Sequence, residues 1–221
     1  MKIKVSKEIK ALCQSFVGAY VEADVVNSSY SDKLWNKITD SEDTLRATVT
    51  TETLKTWPSI AATRLIYRLC GKDPSRYRPS GEALVRRVLQ GKRIYQIDTI
   101  VDLINLASMV HGYSIGAFDK DKIVGEELIL GIGKENEPYE GIGRGRVNIE
   151  GLPVYRDCIG GIGTPTTDNE RTKIDMATKH LLVIVNGYDG DEHHIKETAE
   201  YVVRLLKDYA SASNAGFLLF R

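Results

Sequence analysis

The chain has 221 residues, of which 42% are hydrophobic and 27% are charged, which suffices for one large domain or two small ones. Thirty basic and thirty acidic residues cancel, so no global field draws the protein to nucleic acid or to an anionic membrane, and an RNA contact requires a local patch. The three cysteines are far apart and the first ten residues lack a signal-peptide core, which indicates a cytoplasmic protein.

The first ninety residues alternate between strand and helix signals. Apolar and β-branched runs predict strands over 1–5 and 16–26, with a short capped helix after Ser6 between them. One or two amphipathic helices are expected between 31 and 55, where apolar residues recur every three to four positions. Pro58 is expected to open a helix that ends at Gly71, and Ser80 to cap one that Gly91 closes.

The next stretch predicts a buried helix. Asp98 is a good N-cap and Gly112 a good C-terminal stop. The apolar residues between them are too many for one stripe, which is typical of a helix that is apolar all round and therefore buried. Asn105 lies in the middle of this run. We therefore expect its amide to be buried and hydrogen-bonded to backbone, since an unpaired buried amide costs about 1–3 kcal/mol.

Glycine becomes frequent after Asp119 and the strands become short, which indicates a sheet. Strands are expected over 128–130 and 147–149, and Glu150-Gly151 predicts a two-residue hairpin leading into 152–155. The chain is predicted to end as a strand over 181–186, a helix from about Asp191 and a strand over 217–220. The fold class expected from these elements is α+β.

Three motifs follow each other around the buried helix: IVDLIN at 100–105, GYSIGAFD at 112–119 and DKIVG at 121–125. Together they resemble the signature of the editing domain, or B3/4 domain, of the phenylalanyl-tRNA synthetase beta subunit and of free-standing proteins built from that domain. The resemblance covers residues 78–185, whereas residues 1–60 carry none of it. It implies a B3/4-like core of layered β-sheet and helices over 78–221, with a helix-rich N-terminal portion, 1–77, packed on it as one domain overall.

The resemblance also implies where a ligand lies. Two further segments belong to it: Asp157 with the glycines that follow, which resembles a pocket wall, and a loop around Arg171 that resembles one found in free-standing members. The resulting candidate ligand-binding residues are Ile104, Asn105, Ser108, Gly116, Phe118, Asp119, Asp157, Gly160, Gly161, Arg171 and Thr172. Segments 105–108, 116–119 and 157–161 are expected to converge on one concave site, with 170–172 at its mouth.

Two of these elements, the glycines after Asp157 and Arg171, also have a plainer interpretation. The glycines after Asp157 also suit a β-turn without a ligand, because glycine clusters punctuate loops in general. Arg171 offers a bidentate fork for a carboxylate or a phosphate, but it equally suits a pair with Asp168 or Glu170 as one of several solvated loop charges. Both alternatives stay open at the level of sequence.

Three polar positions of the editing domains are replaced. The Thr before the Asn corresponds to Ile104, the His two residues before Phe-Asp corresponds to Gly116, and the Glu that recognises the tyrosyl hydroxyl corresponds to Ile184 or a neighbour. An apolar pocket discriminates poorly between a ligand with a hydroxyl group, such as tyrosine, and the same ligand without it, such as phenylalanine. We therefore expect that tyrosyl-tRNA(Phe) is not deacylated above a buffer control, and that the pocket floor is roomy and apolar at Ile104 and Gly116.

Other constellations are weaker. His193-His194 is more simply a solvated helix start than a metal site, and Arg144-Gly145-Arg146 is more simply a solvated strand edge than an RNA contact. The sequence has no zinc, phosphate-cradling or serine hydrolase motif, so no metal and no cofactor are expected. Catalytic residues cannot be assigned from the sequence.

Three functions remain open. The first is an editing-type hydrolase, an aminoacyl-tRNA deacylase that binds RNA through the tRNA 3′ end. The second is a non-catalytic module that binds a small amino-acid-like ligand, expected to be anionic with an apolar body because Arg171 supplies the charge. The third is a structural partner of a larger complex. An aminoacylating ligase is excluded because only the editing motif is present, and neither a membrane nor DNA is expected as a partner.

Overall fold

The protein has seven α-helices and ten β-strands. The protein is described over residues 1–221 by a computed structural model. Its helices are α1 (Lys7–Leu12), α2 (Asp32–Thr48), α3 (Thr51–Leu54), α4 (Pro58–Leu69), α5 (Ser80–Leu89), α6 (Thr99–His111) and α7 (Glu192–Tyr209). Its strands are β1 (Lys2–Val5), β2 (Val17–Asp24), β3 (Ile115–Asp119), β4 (Glu127–Ile132), β5 (Glu140–Gly141), β6 (Gly145–Arg146), β7 (Pro153–Arg156), β8 (Gly161–Gly163), β9 (His180–Gly187) and β10 (Ser213–Phe220).

The strands form two four-stranded sheets and one small hairpin. The first sheet has the order β10-β2-β9-β3 and is antiparallel throughout. The second has the order β1-β4-β7-β8, with β1 parallel to β4 and the other pairs antiparallel. Strands β5 and β6 pair with each other, and an isolated bridge joins Gly141 of β5 to Asn169. Both β3 and β8 are therefore edge strands, a point that matters for the site below.

Strand β9 separates two hydrophobic cores. Leu181, Val183 and Val185 are buried in the core beneath helices α2, α5, α6 and α7. Leu182 and Ile184 point the opposite way, into the core shared with the second sheet. A strand that is buried on both faces reads as a continuous apolar run rather than an alternating one. The molecule is thus a helical layer, a central sheet and a second sheet, and the expected α+β class is confirmed.

Several local predictions agree with the structure. Asp98 caps α6 by accepting from Val101 N at 2.9 Å, and Gly112 ends this helix in the left-handed conformation. Pro58 is the first residue of α4, as its fixed φ favours. Ser80 was expected as the cap of α5 but is its first helical residue, and Pro79 occupies the cap position without a side-chain hydrogen bond.

One strand prediction is wrong. Residues 147–149 form no strand, and the hairpin expected at Glu150-Gly151 does not form. This segment is instead anchored at two distant points: Val147 N donates to Tyr139 O at 2.9 Å, and Lys72 Nζ donates to Asn148 O at 3.1 Å. The short hairpin is β5–β6, just before it, and β7 pairs with β4 and β8.

Residues 1–77 hold four of the seven helices and also supply strands to both sheets. β2 lies between β9 and β10, and β1 pairs with β4. No helix combines the length and apolarity needed to cross a bilayer.

Candidate functional site

A cavity of about 590 Å³ opens between α6, the edge strand β3 and the loop that precedes β9. Eight of its fourteen lining residues are hydrophobic. The hydrophobic members are Ile97, Val101, Ile104, Ile115, Ala117, Ile142, Ile174 and Met176, and the polar members are Ser29, Asp98, Asn105, Asp168, Lys173 and Asp175. The side chains of Ile97, Ile142 and Met176 are also substantially exposed, which gives the cavity an apolar rim.

Helix α6 forms one wall because its residues divide between two environments. Val101, Ile104 and Asn105 lie three and four positions apart, so they share the face that lines the cavity. Leu103 and Leu106 are fully buried in the core on the other side. The helix start is fixed by Asp98 and also by Asn27, whose Oδ1 accepts from Ile100 N at 3.2 Å. The cavity wall is therefore rigidly placed.

Strand β3 forms the floor. It pairs with β9 along one edge, and its other edge has no strand partner. Ala117 N points to that free edge, because it donates to Asp168 Oδ2 at 3.3 Å. In an antiparallel strand the N–H and C=O of one residue point to the same side. The Ala117 carbonyl therefore also faces the free edge, next to the Asp168 carboxylate.

Asp168 is the distinctive charged group of this cavity. Its carboxyl lies between the two edge strands, and burial raises its pKa to about 7, although the Ala117 amide partly opposes the shift. Glycines in both strands make room for it. A methyl group on Gly163 would lie 2.9 Å from Asp168 Oδ1, and one on Gly116 would lie 3.4 Å from the same atom.

The other charges of the cavity have partners. Asp98 is engaged in capping α6, and Asp175 Oδ2 accepts from Lys122 Nζ at 2.7 Å. Lys173 is paired with Glu170 on the protein surface. Asp168 has no cationic partner and accepts a single hydrogen bond from backbone. A cation entering the cavity would consequently meet an unpaired carboxylate, whereas an anion would be repelled by it.

Two of the predicted ligand-binding residues, Ile104 and Asn105, line this cavity. The expectation that Asn105 is buried and hydrogen-bonded is wrong: it is half-buried, and its amide makes no hydrogen bond to the protein. The buried carboxylate of the helix is that of Asp102, which accepts from Trp35 Nε1 at 2.8 Å and from Ile97 N at 2.9 Å. Burial raises the pKa of Asp102 to about 6.

Most residues of the second predicted segment lie elsewhere. Phe118 is buried in the core between the sheets, and Asp119 accepts from the Thr178 hydroxyl at 2.9 Å. Ser108, the last residue of the first predicted segment, is also buried. The expectation of a roomy floor at Gly116 is also wrong. A methyl group there would lie 2.8 Å from the Phe118 ring, so that space is already filled by Phe118 and Asp168.

The third segment does not reach the cavity. Arg171 forms a two-pronged ion pair with Asp157, with both N–O distances 2.9 Å, and also donates to Lys122 O. Asp157 accepts three backbone N–H groups as well, from Val124, Ile159 and Gly160. Burial opposes its charge, but these hydrogen bonds outweigh burial and lower its pKa.

Gly161 and Thr172 complete that cluster rather than a pocket. Gly161 belongs to β8 and packs on the Tyr139 ring, and the Thr172 hydroxyl is fully buried beside Ile162 O. The prediction that all three segments converge on one site is therefore wrong. Segments 157–161 and 170–172 are instead joined to each other by the ion pair between Asp157 and Arg171. Arg171 is not a free cation, which removes the reason for expecting an anionic ligand.

Asp168 is not recognisable as a site residue from the sequence, because it stands among Glu170, Arg171 and Lys173 and looks like one more solvated loop charge. What distinguishes it is a contact with β3, which is fifty residues away in sequence. The apolar wall residues Ile142, Ile174 and Met176 were missed for the same reason. No local pattern identifies any of them.

Comparison with known proteins gives one family match. The B3/4 domain model matches residues 62–211 of the chain. A solved N-terminal fragment of the phenylalanyl-tRNA synthetase beta subunit from Pyrococcus horikoshii is similar in structure, with a TM-score of 0.47 and 12% sequence identity. That likeness covers 98% of this chain and 50% of the fragment, so the chain spans about half the length of that structure. No curated protein matches the chain.

Proposed function

The chain belongs to the B3/4 domain family, and from this premise we propose that it binds a small amino-acid-like ligand in the cavity beneath α6. The ligand has an apolar body and an ammonium group, as an amino acid amide, an amino acid ester or an aminoacyl group does. The observation that carries the proposal is the Asp168 carboxylate, which has no cationic partner, in a cavity whose lining is mostly apolar.

The size and lining of the cavity support a small ligand. Small-molecule sites are usually about 300–1,000 Å³ and mostly apolar, with a few polar groups that fix orientation. This cavity, at about 590 Å³, fits that description. Its apolar side chains come from α6, β3, the β5–β6 hairpin and the loop before β9, so a ligand would be enclosed from several sides.

The polar groups support an ammonium. An ammonium has three N–H donors and no acceptor. Asp168 and the Ala117 carbonyl offer adjacent acceptors on the free edge of β3, and the Asn105 amide oxygen is available on the opposite wall. An aminoacyl ester keeps its ammonium but has no free carboxylate, so it requires no arginine. The pairing of Arg171 with Asp157 is consistent with such a ligand.

A thermal-shift comparison tests this proposal with phenethylamine, phenylalaninamide and N-acetylphenylalanine as probes. Both amines should stabilise the wild type. The effect of phenethylamine should increase between pH 6 and 8, because Asp168 loses its proton over that range while the amine stays charged. The effect of phenylalaninamide should be largest near pH 7, because its own α-ammonium loses its proton toward pH 8. The effect should be lost in Asp168→Asn and kept in Asp208→Asn, which changes an exposed carboxylate on α7. Equal stabilisation by N-acetylphenylalanine, or an undiminished shift in Asp168→Asn, would contradict the proposal.

A second candidate is editing-type hydrolysis of an aminoacyl ester. The observation in its favour is the pKa of about 7 at Asp168, which suits a general base or acid at neutral pH. The Thr and His of the editing domains are replaced by Ile104 and Gly116, and the Glu that recognises the tyrosyl hydroxyl is replaced by Ile184 or a neighbour. Phenylalanyl or aliphatic esters are therefore expected substrates rather than tyrosyl esters. Deacylation of phenylalanyl-tRNA that disappears in Asp168→Asn would favour this candidate, and binding of amines without turnover would favour the first.

A further inference from the structure

A second concavity, of about 420 Å³, lies beside the cavity described above. Three arginines line it, Arg76 and Arg78 from the loop before α5 and Arg144 from the β5–β6 hairpin. Ser75, Tyr77 and Thr166 contribute hydroxyl groups, and no carboxylate is among the lining residues. We call it the arginine groove. In a chain whose charges cancel, three guanidinium groups around one depression form a local field of one sign.

These arginines lack carboxylate partners of their own. Arg76 and Arg144 form no ion pair, and Arg78 approaches Glu82 only to 4.0 Å. Glu82 is already engaged, since it accepts from Arg64 at 3.0 and 3.2 Å and from Arg86 at 2.6 Å. Elsewhere, partly buried arginines such as Arg156 and Arg171 are held by carboxylates. The arginine groove is therefore a concentration of positive charge left uncompensated by the protein.

The groove is anchored to the protein interior rather than built on a loose loop. The Thr166 hydroxyl donates to Tyr77 O at 3.3 Å and lies 2.9 Å from the hydroxyl of Tyr67, which is fully buried. Lys72 Nζ lies 4.0 Å from the centroid of the Tyr77 ring and donates to Asn148 O. These contacts fix the loop that carries Arg76 and Arg78, so the guanidinium groups start from an ordered backbone.

The arginine groove adjoins the apolar cavity through two short stretches of chain. In the β5–β6 hairpin, Ile142 lines the cavity and Arg144 lines the groove. In the segment before β9, Asp168 lines the cavity and Thr166 lines the groove. In each stretch, the residue that lines the cavity and the residue that lines the groove are only two positions apart. A ligand group bound in the groove therefore sits next to the mouth of the cavity.

We propose that the arginine groove binds a phosphate group, carried by a nucleotide or by an RNA backbone. Guanidinium groups match phosphate oxygens with paired, charge-assisted hydrogen bonds, and the Ser75 and Tyr77 hydroxyls beside them suit the remaining oxygens. The site is separate from the cavity and does not depend on the amine ligand proposed there. Phosphate binding would also give Arg144 a role, whereas the simpler interpretation of this residue as part of a solvated strand edge gives it none.

The test measures phosphate binding by the full chain with three probes: inorganic phosphate and AMP by calorimetry, and a fluorescently labelled single-stranded RNA oligonucleotide by anisotropy. Wild type is compared with Arg76→Gln and Arg144→Gln. The matched control is Arg204→Gln, an exposed arginine on α7 that, like Arg76, contacts only a tyrosine ring. All three side chains are exposed, and circular dichroism checks that the variants fold.

Each groove variant should bind roughly tenfold more weakly than wild type, because one charged hydrogen-bonding group is removed. With RNA, the slope of log affinity against log salt should also fall by about 0.7 per variant. Binding of AMP with no stronger binding of RNA assigns the site to a free nucleotide, and markedly tighter binding of RNA assigns it to a backbone. Absence of binding to all three probes, or an equal effect of Arg204→Gln, overturns the proposal.

Discussion

At the scale of single residues, Asp168 links the chemistry of the cavity to the stability of the fold. Its folded-state pKa is about 7, against an ordinary value near 3.8. The folded protein therefore holds a proton that the unfolded chain has released between about pH 4 and pH 7. Stability contributed by this group is present below that window and is lost as pH rises through it.

Asp168→Asn should accordingly be more stable than wild type at pH 8 and about equal to it at pH 4, because the amide cannot ionise. Urea unfolding at the two pH values measures the difference. Asp208→Asn, on the exposed surface of α7, provides the control and should show no such dependence on pH. A constant difference between Asp168→Asn and wild type at both pH values would contradict the assigned pKa.

The glycine opposite Asp168 gives a second test. A methyl group on Gly163 would lie 2.4 Å from the buried Phe118 ring and 2.9 Å from Asp168 Oδ1, so both groups would have to move. Gly163→Ala should lower the free energy of unfolding by about 1–3 kcal/mol, as overpacking in a core does. Gly160→Ala is the matched control, since nothing lies within 4 Å of its added methyl group. Equal stabilities of the two variants in urea would show that the space beside Phe118 is not closed.

Residue roles that depend on a distant partner were beyond the sequence. Asn105 was placed correctly on its helix, but the polar contact expected for it belongs to Asp102, whose partner Trp35 is 67 positions away. Arg171 was expected either to bind a ligand or to pair with Asp168 or Glu170, and it pairs with Asp157. Sequence identifies the side chains able to make such bonds, and only the packing of strands decides which are made.

At the scale of elements, prediction succeeded where the determining signals are local. The cap, the apolar run and the terminal glycine of α6 all lie within fifteen residues, and the helix begins and ends as they indicate. The segment 147–149 failed because its backbone is engaged by Tyr139 and Lys72 rather than by a neighbouring strand. A short alternation of apolar and polar residues favours a strand, but it does not determine which other strand, if any, this segment pairs with.

The Arg171–Asp157 pair joins two loops, and its strength is a testable property of that junction. The Asp157 carboxylate is fully buried, whereas Arg171 is 29% exposed. Removal of the arginine leaves a buried charge held only by backbone amides, so Arg171→Ala should lose on the order of 2–4 kcal/mol of stability. The thermal shift produced by phenethylamine should stay as large as in wild type. A lost shift with unchanged stability would return Arg171 to the ligand site.

The contact between His111 of α6 and His194 of α7 should make the stability of the protein depend on pH in the acidic range. His111 Nδ1 lies 3.2 Å from His194 Nε2, and burial together with His194 lowers the pKa of His111 to about 4. The folded chain thus binds fewer protons than the unfolded chain between about pH 4 and 6.5, and stability falls as pH drops through that window. His111→Gln should lose less stability than wild type between pH 7.5 and 5 in urea unfolding. His193→Gln, whose ring is exposed, should behave like wild type.

At the scale of the whole molecule, the N-terminal part of the chain contributes a strand to each of the two four-stranded sheets. β2 is a central strand of the first sheet and β1 pairs with β4 of the second. Helix α4 contributes Ile60 to one core and Tyr67 to the other. The family resemblance begins after these strands, which is why the sequence suggested a core of 78–221 with an added portion, 1–77.

A fragment of residues 78–221 should therefore fail to fold alone. Without β2, strands β9 and β10 lose the partner that each of them shares, and apolar faces of both cores are left open. Near-ultraviolet circular dichroism of the purified fragment should lack the fixed aromatic signal of the full chain. Co-expression with residues 1–77 should restore it, since the missing strands can then pair in trans. A fragment that gives a native spectrum and a cooperative transition by itself would show that 78–221 is an independent domain, and that the N-terminal strands merely extend sheets already stable without them.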